Sequence, residues 1–328
     1  MKKLVTFSIF LAFVVIILGA YTRLTDAGLG CPDWPGCYGH LTVPKGEHVE
    51  AANQAFPERP VEAHKAWNEM IHRYFAGTLG LVIVAIAAIA IRQRQIRPVK
   101  LPLFLVGLVI FQAALGMWTV TLNLLPAVVM AHLLGGFAVL SCLFLLLMRL
   151  RYAGCARPVE TMKTPLTAAV IGLIILISQI GLGGWTSANY AALACTDFPV
   201  CEGEWAQRLD FAGAFSIPPA ENYEFGAHDY GERMTMHVVH RFGALVTFIY
   251  LLWLALKVTK LKQFQFRRQA AMLLVTVLAV QVALGVSNIV FSLPLAVAVL
   301  HNAVAATLLL VMVWIVFHLH RLQGGHYE

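Results

Sequence analysis

The chain of 328 residues is 59% hydrophobic and only 12% charged, too apolar to present a water-facing surface, which excludes a soluble globular domain and a disordered chain alike. Its formal net charge of +7 reflects 24 Lys and Arg against 17 Asp and Glu. The basic residues stand in short links between apolar runs with no interleaved aromatics, so nucleic acid is not a partner and the lipid bilayer is. At roughly 20 residues per span plus connections, the length accommodates about eight membrane helices and no separate soluble domain.

Eight apolar stretches follow in chain order at about 4–20, 68–91, 101–122, 127–148, 165–187, 235–256, 269–291 and 295–317. Each is long enough for a helix across a hydrocarbon core of roughly 30 Å, so the expected fold is an all-α polytopic membrane protein. The links at Asn123 to Pro126 and Ser292 to Pro294 are very short, which makes the third and fourth spans, and the seventh and eighth, antiparallel neighbours. The first stretch follows Met1-Lys2-Lys3 as a signal peptide would. It lacks a small-x-small cleavage pattern before Tyr21-Thr22-Arg23 and has a counterpart later in the chain, so it is read as a retained span.

With both termini in the cytoplasm, 16 of the 24 basic residues fall on the inner side, accompanied by only two acids, Glu160 and Glu328. That imbalance predicts N-in, C-in. The long connections at about 21–66 and 188–234 then lie outside, and their aromatic, proline and glycine content predicts folded caps rather than linkers.

The two halves superimpose at a shift of 164 to 169 residues. Cys31-Pro-Asp-Trp-Pro-Gly-Cys37 answers to Cys195-Thr-Asp-Phe-Pro-Val-Cys201, each after a Gly-x-x-Thr at Gly19/Thr22 and Gly183/Thr186. His72-Arg73 answers to His240-Arg241. Gln112-Ala-Ala-Leu-Gly answers to Gln281-Val-Ala-Leu-Gly, and 20 residues after each glutamine stands a histidine, His132 and His301. The predicted architecture is two pseudo-symmetric four-helix bundles, residues 1–150 and 165–320, related by a pseudo-two-fold axis along the membrane normal.

Of 12 histidines, His72, His132, His240 and His301 fall on the second, fourth, sixth and eighth spans, all running inward and all bearing the histidine near the outer end. Taken singly, such a residue is an ordinary interface histidine. Four repeat-related imidazoles in an apolar background need partners, and a metal supplies them. No thiolate or carboxylate ligand common to both halves accompanies them, which favours heme over zinc: two histidines on facing helices can hold heme iron axially while apolar side chains surround the macrocycle. The pairs are His72 with His132 and His240 with His301. Arg73 and Arg241 are candidates for pairing with heme propionates, or interface arginines that only snorkel.

Glu69 precedes His72 by three residues and shares its helix face. His237 takes the corresponding place before His240. Glu69 is either a solvated acid at a helix start or a proton acceptor and substrate-orienting group beside iron. Cys142 and Cys155 are expected to be plain thiols, whereas Cys31/Cys37 and Cys195/Cys201 lie in the outer loops, where an oxidising environment permits two local disulfides. Each can hold its loop over the bundle mouth, or Cys31/Cys37 can exchange electrons with a thiol partner.

These residues together resemble the heme A synthase family. The resemblance spans nearly the whole chain and rests on Thr22-Arg23-Leu24-Thr25-Asp26-Ala27-Gly28-Leu29, Glu69-x-x-His72-Arg73, His132 after Gln112, His240-Arg241 and His301. It implies an eight-helix enzyme of the bacterial cytoplasmic (inner) membrane, its large loops periplasmic or extracellular, that oxidises a methyl group of heme O to a formyl group. It further implies a heme b cofactor at His240 and His301, a substrate site with Glu69, His72 and His132 as catalytic residues, and outer cysteine pairs that form disulfides. Heme O synthase and oxidase assembly factors are the protein partners it suggests, and the electron acceptor is named by no motif. The segment before Glu69, Ala63-His64-Lys65-Ala66-Trp67-Asn68, departs from the longer aromatic approach of mitochondrial-like members. A diheme electron carrier and a quinone-linked thiol oxidoreductase are the competing readings.

Overall fold

The computed structural model describes residues 1–95, 98–153, 164–262 and 264–324; Cys155 and the charges at Arg97, Arg157, Glu160, Lys163 and Glu328 lie outside them. The described chain contains α1 (Lys2–Leu24), α2 (Glu47–Ala55), α3 (Ala63–Arg92), α4 (Lys100–Thr121), α5 (Pro126–Tyr152), α6 (Leu166–Ala188), α7 (Phe211–Ala214), α8 (Tyr230–Thr259), α9 (Arg267–Val290) and α10 (Leu295–Leu322). All but α2 and α7 are long and apolar enough to cross a membrane, which gives the eight spans read from the sequence.

Two of them start earlier than hydropathy predicts. α3 begins at Ala63 and α8 at Tyr230, each a turn or more inside what the sequence reading assigned to loop. Polar side chains do not prevent helix formation when the end is capped, and Glu232 of α8 accepts a 3.0 Å hydrogen bond from the Asp229 backbone N–H. His72 and His240 consequently sit about two and a half turns or more into their helices rather than at the rim.

The four helices that arrive at the long-loop end of the bundle, α1, α4, α6 and α9, all stop in the same way. Asp26, Asn123, Tyr190 and Ser292 adopt φ of 49°, 48°, 53° and 54°. The third residue past each helix returns its N–H to the last turn: Ala27 to Thr22, Leu124 to Thr119, Ala191 to Thr186 and Leu293 to Asn288, at 2.7–2.9 Å. These are Schellman closures without the usual glycine. Pro126 and Pro294 then open α5 and α10.

Within the first half α1 packs on α3 and α5, and α4 on α3 and α5; within the second α6 packs on α8 and α10, and α9 on α8 and α10. The halves meet through α1 with α10, α5 with α6, and α5 with α10. Each contact has its counterpart when the halves are exchanged, a pattern compatible with the pseudo-two-fold arrangement. Equivalent positions of the two halves also touch each other. Arg23 donates to the carbonyl of Ser187 at 2.7 Å, and Tyr190 donates its hydroxyl proton to Asp26 at 3.0 Å, both pairs 164 residues apart. Apolar side chains such as Leu81, Ile110 and Phe242 face outward along the spans, as lipid contact requires.

Both long loops fold onto the bundle through small cores of their own. The first packs Cys31, Cys37, Tyr38, Val43 and Ala52 against Ala66 and Met70 of α3. The second packs Ala194, Cys195 and Cys201 against Met234 and Val238 of α8. They are caps, as their composition suggested. Asn123 at the α4–α5 turn ties the two caps together, accepting from Arg59 at 2.5 Å and donating to the Glu221 carbonyl at 2.8 Å.

Candidate functional site

His72 of α3 and His132 of α5 face each other at 6.4 Å between ring centroids, with planes at 84°. A metal atom about 2 Å from one nitrogen of each ring would place those nitrogens about 4 Å apart, a spacing this separation accommodates. His240 of α8 and His301 of α10 stand at the corresponding places of the second half, where α8 and α10 each pack on α6 and α9 as α3 and α5 pack on α1 and α4. The fold thus brings His72 and His132 face to face, as the repeat leads one to expect.

All four imidazoles rest against bare helix backbone. A Cβ on Gly19 would lie 3.0 Å from Cε1 of His72, and one on Gly183 3.0 Å from Cε1 of His240. The same holds for Gly116 beside His132 at 3.4 Å and Gly285 beside His301 at 3.2 Å. Glycine at these positions lets a ring lie flush on the neighbouring helix. The four glycines recur in the repeat that carries the histidines, yet reading them as ring cradles required the helix packing.

Nδ1 of His72, His132 and His301 is buried with no side-chain partner, while Nε2 of His301 lies 3.3 Å from the amide nitrogen of Gln281. Among the described residues no group of three or more metal-ligating side chains occurs. A donor set of two opposed imidazoles per half, walled by apolar helices, fits a porphyrin iron, whose remaining ligands belong to the macrocycle.

Glu69 is 4% exposed, which excludes the solvated helix-start reading. Its Oε2 accepts the Cys31 backbone N–H at 2.8 Å, and its Oε1 pairs with Arg73 at 2.5 Å. Arg73 also donates to the carbonyls of Asp33, at 2.9 Å, and of Gly36. One network thus joins the first disulfide loop to the helix face bearing His72. Gly30 permits the close approach, since a Cβ there would lie 2.6–2.8 Å from the backbone of Lys65 and Ala66.

In the second half His237 stands in place of Glu69, 5% exposed, its Nδ1 buried and unpartnered. With no carboxylate to bind, Arg241 directs its guanidinium to the carbonyls of Cys195 at 2.5 Å and Asp197 at 2.8 Å. Both arginines are engaged by the disulfide loops in this structure.

Cys31–Cys37 and Cys195–Cys201 are bonded at 2.01 and 2.02 Å, and Cys142 is a free thiol. Asp33 braces the first loop by accepting the N–H groups of Tyr38 and Gly39 at 2.6 and 2.7 Å. Burial raises the Tyr38 phenol above its usual value, so it remains a donor, to the Pro60 carbonyl at 3.2 Å. The sequence reading missed Asp33 as a brace; its counterpart Asp197 stands in the repeated loop and was a visible signal.

Residues 2–313 match the family model described as cytochrome oxidase assembly protein. This chain belongs to that family. The assembly-protein family match is accompanied by curated relatives named heme A synthase. The protein of Shewanella oneidensis is 50% identical over 309 residues, covering 93% of this chain and 92% of its own. Those of Caulobacter sp. strain K31 and Rhizorhabdus wittichii are 27% and 26% identical, each covering more than 90% of this chain and about 90% of their own. With eight membrane-length helices and bacterial relatives along nearly its whole length, this member of the family is a multi-pass bacterial membrane protein.

Proposed function

We propose that this chain is a heme A synthase that oxidises a methyl group of heme O to the formyl group of heme A. The observation that carries the reading is the asymmetry between two otherwise matched histidine pairs: one has the buried carboxylate of Glu69 a turn away, the other His237. An electron carrier with two resident hemes needs no such difference, whereas an enzyme with one substrate heme and one cofactor heme does. The relative from Shewanella oneidensis, named heme A synthase, supports the same reading.

In this assignment His240 and His301 hold heme b as cofactor, and His72 and His132 hold the iron of heme O, the substrate. The cofactor supplies redox-active iron for a step the protein's own side chains cannot perform. The chain contributes position and proton handling. With the formyl oxygen taken from water, oxidising a methyl to a formyl group gives up four electrons to an external acceptor and releases four protons, and Glu69, held on one oxygen by Arg73 and on the other by Cys31, is a fixed proton acceptor beside the ligand helix face. Arg73 and Arg241 keep the disulfide caps on the bundle. The long-loop end faces the periplasm or cell exterior in the cytoplasmic membrane, which is supported by Arg92, Lys100, Arg149, Arg151, Lys257 and Lys260 at the opposite end.

The test is expression in a host that makes heme O but not heme A, followed by extraction and mass analysis of the porphyrins. Heme A should form only when the chain and heme O are both present. Recovery of heme O and heme b unchanged would overturn the proposal in favour of a diheme electron carrier.

A further inference from the structure

The environment of His240 differs from that of His72 in one respect that the repeat makes plain. Gln179 of α6 places its amide nitrogen 3.0 Å from Nδ1 of His240 and 3.0 Å from the His240 carbonyl oxygen. Its Oε1 is buried with no partner, and a Cβ on Gly243 would lie only 2.3 Å from that oxygen. The amide therefore occupies space that exists because residue 243 is glycine. At the equivalent positions of the first half stand Val15 and Phe75. There the His72 ring has the backbone of Val15 beside it, and its Nδ1 has no side-chain partner. Amide and accommodating glycine occur together in one half, and both are replaced in the other.

We propose that Gln179 is a positioning residue for His240, adding a side-chain amide brace to the ring in the second half where the first half offers His72 only the backbone of Val15. This rests on the reading of His240 and His301 as ligands of heme b. An imidazole bound to iron through Nε2 carries its proton on Nδ1, and the group that accepts this proton fixes the ring and raises its basicity. The nitrogen and oxygen of an amide exchange places by a half-turn of the side chain's last bond. That half-turn brings the partnerless Oε1 to the Nδ1 proton, at the expense of the bond to the His240 carbonyl. A more basic ligand favours ferric over ferrous iron, so the brace also lowers the midpoint potential of the heme.

The test uses the full-length protein in detergent with its bound heme b, comparing wild type with Gln179→Val, which installs the first-half residue, and Gln179→Glu, which keeps an acceptor. Readouts are the rate of heme transfer to excess apomyoglobin and the midpoint potential from optical redox titration. Gln179→Val should keep the low-spin spectrum, lose heme affinity by about 10- to 100-fold and titrate at a higher potential. Gln179→Glu should retain heme and titrate at or below the wild-type potential. Unchanged transfer rate and potential in Gln179→Val, or equal shifts in the same direction in both variants, would overturn the proposal. A His240→Ala variant that keeps a normal low-spin heme b would instead remove the ligand assignment beneath it.

Discussion

The backbone N–H of Cys31 donates to Oε2 of Glu69 at 2.8 Å, so a residue of the first disulfide and the acid beside the first histidine pair are joined directly. The carboxylate and the loop position each other, and Arg73 closes the arrangement by bonding to both. Replacing Glu69 separates its charge from its hydrogen bonds.

Glu69→Gln keeps the size and an acceptor for Cys31 but removes the negative charge facing Arg73. The variant should insert normally, retain heme b and form about 100-fold less heme A, the low end of what a lost acid–base group costs. Glu69→Ala should in addition lose roughly 1–3 kcal/mol through the orphaned Cys31 N–H. Porphyrin profiles from membranes matched for heme b content decide the matter; wild-type heme A output from Glu69→Gln would end the catalytic role.

Replacing His240 or His301 by Ala should abolish the low-spin spectrum of bound heme b and lower thermal stability, because bound ligand adds to folding free energy. Replacing His72 or His132 should leave that spectrum in place and stop turnover. Optical spectra of the four purified variants distinguish the pairs.

Gly183→Ala puts a methyl group 3.0 Å from Cε1 of His240, closer than an unstrained contact allows. The imidazole must move by a few tenths of an ångström, and heme retention should fall although alanine is the better helix former by up to about 1 kcal/mol. Gly107→Ala, where nothing lies within 4 Å, is the control and should retain heme fully.

The Cys195–Cys201 disulfide holds a cap that packs on Met234 and Val238, and the place of Glu69 is taken there by His237. Its removal by double substitution to Ser should reduce the yield of folded protein, a lost disulfide in a small domain costing about 2–5 kcal/mol, with activity per folded molecule nearly unchanged. Removal of Cys31–Cys37 should reduce activity per folded molecule as well, since Glu69 loses a fixed partner. Comparison of heme A formed per bound heme b in the two double variants tests this difference.

Hydropathy alone determined the eight spans, because lipid demands long uninterrupted apolar runs whatever the rest of the chain does. The repeat determined the histidine pairs, since His72, His132, His240 and His301 recur with their neighbours in one order. The departure of Glu69 from His237 was equally legible, being a difference between two aligned strings. What the sequence left open were questions of burial and approach. Glu69 reads as a solvated acid or a buried one until the loop carrying Cys31 folds over it. Gly19 and Gly183 read as ordinary small residues of membrane helices until the rings of His72 and His240 are seen resting on them. Gln179 carried no signal of its own, because its meaning depends on the distance between α6 and α8 and on the space left by Gly243. Composition and order govern which segments enter the membrane, but contact between residues far apart in the chain is set by how helices pack, and only the tertiary structure decides that.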